Sequence, residues 1–269
     1  MTNANGFEGN SDLYGMGVRI GLYTQWIATL LVTLFIPSDE ATHRAVNLVI
    51  QSAIFLGLCT ESNDKVNAVG SVITMALLCG SLSSVTGDGI CHLDRLVGLF
   101  RVAFYTALSA YGCWFWFSGI DKMASSGSEQ IVFFGATSIH SGIRTFGKVV
   151  SVIGLAATTA LTCLSVRAVA LCLKGSTSTR LPRRLRNRPQ VEIGWLLMSA
   201  GLAAVTMALV EYLIVKNMVS GVGVDDLESV GQLIPLVVGI VSLFLVFWKI
   251  MTDRLVFRKR CCLLFGCHL

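Results

Sequence analysis

The sequence predicts an all-α membrane protein, a polytopic transmembrane bundle of about seven helices. Three observations carry that prediction. Hydrophobic residues make up 54% of the chain and charged residues only 14%, against about 25% charged in an ordinary soluble domain. The apolar residues fall in long blocks of about 17–25, the length a helix needs to cross a hydrocarbon core. The blocks lack the alternation of membrane strands. Each must therefore satisfy its backbone internally, as a helix does. One soluble core cannot hide so much apolar surface in 269 residues.

Taken in order, the first span covers Gly17–Ile36 and stops at Pro37. The second, Ala45–Cys59, is short and reads equally as a tilted or re-entrant segment. Val66–Val85 and Leu96–Phe117 form the third and fourth. Val149–Leu173, Ile193–Val215 and Leu233–Met251 complete the set. This divides the chain into a polar segment (1–16), a seven-span domain (17–251) and a basic, Cys-rich tail (252–269). No soluble domain, long repeat or low-complexity block is visible. Residues 1–14 lack the basic start of a cleavable signal peptide, so the first apolar block is expected to remain as a helix.

The net charge of +5 is unevenly spread. Between spans five and six, "KGSTSTRLPRRLRNRPQ" holds Lys174, Arg180, Arg183, Arg184, Arg186 and Arg188 without an acid. The tail adds Arg254, Arg258, Lys259 and Arg260, whereas the loop between spans six and seven carries Asp225, Asp226 and Glu228. Basic loops stay on the cytosolic side. The expectation is a cytosolic C-terminus and, with seven spans, an N-terminus outside, in the plasma membrane or an endomembrane. The long connection Gly119–Lys148 reads either as a lid on the outer face or as a plain connector.

In "LVEYLIVKN", Glu211 is a carboxylate inside an apolar run. Ionisable residues inside spans tend to face the bundle interior and pair. Arg19 lies at a similar depth in span one, so the two are expected to face each other. The pair reads as structural or as the charged centre of a ligand site. Arg101 and Arg167, toward the cytosolic ends of their spans, are expected to snorkel to the interface. Lys249 lies too near a span end to hold retinal. Pro235 falls in the expected first turn of span seven, where proline is tolerated, and Gln232 just before it is placed to cap the helix.

Other chemistry finds little support. There is no nucleophile elbow, phosphate loop, His-Glu-x-x-His pair or carboxylate cluster, and His43, His92, His140 and His268 are scattered. No catalytic residue, metal ligand set, cofactor or nucleic-acid partner is expected. In the tail "RKRCCLLFGCHL", Cys261, Cys262 and Cys267 follow a basic cluster beside a span, a context that favours S-palmitoylation.

Three stretches carry a resemblance: "DLYGMGVRIGLYTQW" (Asp12–Trp26), "IRTFGKVVSVIG" (Ile143–Gly154) and "EYLIVKNMVSGVGVDDLESVGQLIP" (Glu211–Pro235). They resemble a family of fungal multi-span membrane proteins of unassigned function. Lys216 stands where that family usually has Trp, which weakens an aromatic role there. The resemblance implies an integral membrane protein and no particular activity. The matching residues Arg19, Gln25, Glu211, Asn217 and Gln232 all fall in the expected outer half. The leading expectation is a bundle that recognises a small-molecule or ion ligand there, as a receptor, channel or transporter. A membrane-embedded enzyme on a lipophilic substrate would need a second acid across the cavity. A structural scaffold would use the same polar residues as glue between helices.

Overall fold

The computed structural model describes residues 7–60, 68–80, 96–123, 130–132, 136–138, 142–173, 193–217, 219–220, 227 and 229–265. The basic loop after span five and the acids Asp225, Asp226 and Glu228 lie outside them. Among the described residues are seven helices of thirteen residues or more: α1 (Met16–Phe35), α2 (Glu40–Thr60), α3 (Ala68–Gly80), α4 (Leu96–Trp114), α5 (Gly142–Leu173), α6 (Ile193–Lys216) and α7 (Val230–Phe265). Among the described residues, four stretches are long and apolar enough to cross a membrane: Ser11–Phe35, Gly142–Arg167, Leu196–Lys216 and Val230–Asp253. The helix α3 is apolar but shorter.

Local chemistry sets the helix ends. A one-turn helix, Ser11–Tyr14, precedes α1; Asn10 caps it by accepting from the backbone N–H groups of Asp12 and Leu13. The end of α1 comes at Phe35, because a residue before proline is pushed out of the helical region. The residue capping α7 is Ser229, not Gln232: its Oγ accepts from the Gln232 N–H at 3.2 Å. Since α7 begins at Val230, Pro235 lies inside it rather than in its first turn. The helix also continues past Met251 to Phe265, and α5 begins at Gly142, ahead of the expected Val149.

The central helix is α1. It runs parallel to α7 along a seam of small residues. A Cβ at Gly17 would strike Gln232, one at Gly21 would overlap the Pro235 carbonyl, and one at Gly239 would meet Thr24 and Gly21. Where no water drives helices together, such close backbone approach supplies the association through dispersion contacts. Farther along, Ala28, Val32 and Val246 pack together. Against α6, α1 runs antiparallel: Arg19 meets Glu211, and Trp26 and Thr206 both crowd Gly80 of α3. Against α3 it runs parallel, with Tyr14 on Gly70 and Trp26 on Gly80. The helix α2 returns antiparallel, with Leu13 on Gly57 and Thr33 bonded to Glu40.

A second unit is the antiparallel pair α4–α5. Thr106 bonds Thr162, Gly112 lies on Ser151, and Trp116 on Gly147. A wide π-type turn, Phe115–Gly119, extends α4. Arg144 closes it, donating to the Trp116 and Phe117 carbonyls and to both oxygens of Asp121. The expected loop Gly119–Lys148 thus includes a turn of helix (Ile120–Met123), the hairpin β2 (Gln130–Val132) with β3 (Ala136–Ser138), and the first residues of α5. At the same end as Arg19, β1 (Phe7–Glu8) pairs in parallel with β4 (Val219–Ser220).

Candidate functional site

Glu211 and Arg19 form an ion pair. Arg19 Nη1 donates to Glu211 Oε2 at 2.5 Å, and Tyr23 Oη donates to Oε1 at 3.0 Å. Arg19 and Tyr23 are four residues apart, one helical turn, so α1 presents both to one carboxylate. At 1.5 Å per residue the cluster lies roughly 5–8 Å from the ends of α1 and α6. Its two charges are unequally covered: the Arg19 side chain is 8% exposed and that of Glu211 46%. The cation is sequestered, while the carboxylate opens outward with lone pairs still to offer.

The other three expected site residues lie elsewhere and are engaged in structure. Gln25 is fully buried and its Nε2 donates to Ser242 Oγ at 2.9 Å and to the Val238 carbonyl at 3.2 Å. Gln232, also fully buried, accepts from the Gly17 N–H at 3.2 Å. Both tie α1 to α7. Asn217 turns back on its own helix, donating to the Leu213 carbonyl at 2.7 Å and so occupying a carbonyl at the end of α6. A further tie sits just outside: Ser229 Oγ donates to Asp12 Oδ1 at 2.5 Å.

Sequence reasoning missed Tyr23, although its spacing from Arg19 was a usable signal. It also missed a polar line at the other end. Arg44 is buried and pairs with Glu40, whose Oε1 also accepts from Thr33; Asn47 and Gln51 follow, buried and bonded to each other. Those four residues of α2 recur at helical spacing and mark an inward face. Arg101 is buried, while Arg167 is exposed. Among the described residues no cluster of His, Cys, Asp and Glu suits a metal. The side chains of Cys261 and Cys262 and the whole of Cys267 lie outside the described residues.

No family model matches the chain, and no curated protein or solved structure matches it. The family resemblance therefore rests on its three sequence motifs. Composition and four long apolar helices mark the chain as a helical integral membrane protein.

Proposed function

We propose a multi-pass membrane protein that recognises a small ligand bearing a cationic or hydrogen-bond-donating group at the outer end of its bundle. The single observation behind this reading is the unequal cover of the Arg19–Glu211 pair, in which the carboxylate is the half that remains accessible. Tyr23 and Arg19 fix the carboxylate's orientation, and its open side is the contact for the ligand. Seven alternating crossings, with the N-terminal segment (1–16) outside and the tail (252–269) cytosolic, are part of the same reading. The parallel packing of α1 on α7 supports an odd number of crossings. Four spans alone would set the first and last antiparallel. The antiparallel course of α2 and α6 and the parallel course of α3 relative to α1 fit the same alternation. S-palmitoylation of Cys261, Cys262 and Cys267 would add anchoring to the basic tail.

The second reading is a structural membrane protein, and the bonds made by Gln25 and Gln232 between α1 and α7 favour it. Purified protein separates the two. A panel of small amines and metal cations is added while the unfolding temperature is followed. A rise in wild type that disappears in Glu211→Gln supports recognition. If no member of the panel shifts wild type, and Arg19→Gln/Glu211→Gln matches wild-type stability, the structural reading takes its place.

A further inference from the structure

At the end of the bundle away from Glu211, the C-terminal part of α1, the start of α2 and α7 enclose a cleft of about 350 Å³. One wall is apolar: Val32 of α1 and Ile36 just past its end lie with Leu245 and Trp248 of α7. Leu245, Trp248 and their neighbour Phe244 are exposed, so this wall is continuous with the apolar outer flank of α7. The other end is polar and holds Asp39, His43 and Lys249. Lys249 Nζ donates to Asp39 Oδ2 at 2.5 Å, and Asp39 Oδ1 accepts from Ser38 Oγ at 3.0 Å. An ammonium has three N–H groups and a carboxylate about four lone pairs. Among the described residues this contact uses one N–H of Lys249. One cation and one anion, side by side and both partly exposed, therefore still have bonding capacity pointing into the cleft.

That pattern selects the occupant. A purely anionic headgroup would meet Lys249 but be repelled by Asp39. A headgroup with its own phosphate and ammonium satisfies both. The exposed Trp248 at the rim is the residue type that settles at a membrane–water interface, and its ring face attracts an ammonium. We propose that the cleft binds a zwitterionic phospholipid from the adjoining leaflet. Its phosphate sits on Lys249, its ammonium between Asp39 and Trp248, and an acyl chain lies along Leu245. The cleft shares no residue with the outer cluster, so Glu211→Gln leaves lipid retention unchanged and the two proposals fail separately.

The test is native mass spectrometry of the full chain in detergent with equal amounts of phosphatidylethanolamine, phosphatidylcholine and phosphatidylglycerol. Wild type is expected to retain each zwitterionic lipid at least about threefold better than phosphatidylglycerol, the size of effect one partly exposed ion pair supplies. Asp39→Asn leaves Lys249 unopposed and moves the preference to phosphatidylglycerol. Equal retention of all three lipids by wild type, or an unchanged preference in Asp39→Asn, overturns the proposal. Should Asp39→Asn fail to fold, Trp248→Ala on the exposed rim takes over: lowered retention of the zwitterionic lipids supports it, and full retention overturns it. Glycerophosphoethanolamine, the headgroup without chains, is expected to leave bound lipid in place. Its competing at equal concentration would overturn the assignment to a bilayer lipid.

Discussion

Helices α1 and α5 are both long enough to cross a membrane, yet they occupy opposite places in the molecule. Over the apolar window of each, 56% of the first is buried in the bundle and 6% of the second. The first is also the least apolar of the four long spans. It carries Arg19, Gln25, Thr29 and Thr33, all buried, whereas α5 shows Val149, Val150, Ile153 and Leu164 to the outside. In water the greasier helix would be the inner one. In lipid the outer face is as apolar as the core, so hydrophobicity no longer sorts inside from outside. Polar groups do, because they find partners only in protein. Small residues mark the same helix, since backbone contact needs them.

The comparison is most easily broken at the glycines. Gly21→Ala puts a methyl into the Pro235 carbonyl of a backbone that cannot step aside, and is expected to cost about 3 kcal/mol, the upper range for overpacking. Gly154→Ala on α5 meets only the end of Ser109 at 3.2 Å, and is expected to change stability by about 0.5 kcal/mol or less. Thermal unfolding of the two variants in detergent checks the contrast. Equal costs would mean that α1 is not the packed centre.

Next in size is the charge pair. Glu211→Gln removes the carboxylate from a covered guanidinium and is expected to cost about 2 kcal/mol, below the full penalty for breaking a buried pair. Arg19→Gln leaves a half-exposed carboxylate with Tyr23 still bonded to it, for a cost of about 1 kcal/mol. The order of the two unfolding temperatures is the measurement, and a reversed order would show that Glu211 is the more deeply held charge. Smaller again is Gln25→Leu, which removes two bonds from α1 to α7 for about 0.6 kcal/mol. Thr158→Val on α5, whose hydroxyl bonds only its own helix, is expected to be neutral. Denaturant titrations of the pair sharpen the contrast between an amide that bridges two helices and a hydroxyl that bonds only within its own.

The smallest effect concerns pH at the end of the bundle away from Glu211. Burial pushes the His43 imidazole below its ordinary value of 6.5, and Lys249 acts the same way, against an opposing pull from Asp39. The unfolded chain then takes up the proton more readily than the folded one. Stability accordingly rises with pH up to about 6.5 and is lost as acid is added below it. His43→Gln flattens that slope in melting curves taken from pH 5 to pH 7. The Asp39 carboxyl is held below its ordinary 3.8, chiefly by the hydrogen bond from Lys249. Its contribution is complete above 3.8 and vanishes only as pH falls through the lowered value, so it leaves the pH 5–7 window untouched.

Much of this was legible in the residues. The apolar blocks marked the helices because lipid permits no unpaired backbone, and Pro37 marked the first stop. Glu211 and Arg19 stood out because charge in an apolar run has to be matched. The polar face of α2 was harder to see. Arg44, Asn47 and Gln51 recur at helical spacing, but in a stretch too polar to read as a confident span. Gln25 and Gln232 carried the right signal for a buried location and the wrong one for role, since a buried amide serves a ligand or a neighbouring helix equally well until its partner is known.

The sequence alone determined the class: length, composition and block size admit a helical membrane protein and little else, because those quantities meet the bilayer directly. It also determined that Arg19 and Glu211 would need a partner. Only the tertiary structure decided which helix lies at the centre, that α1 and α7 run parallel on a glycine seam, and that Tyr23 completes the Arg19–Glu211 cluster. It alone joined Asp39 to Lys249 across a cleft. These are relations between residues far apart in the chain, fixed by which backbones can approach and which polar groups must meet. Composition and periodicity describe one helix at a time and hold no record of its neighbours.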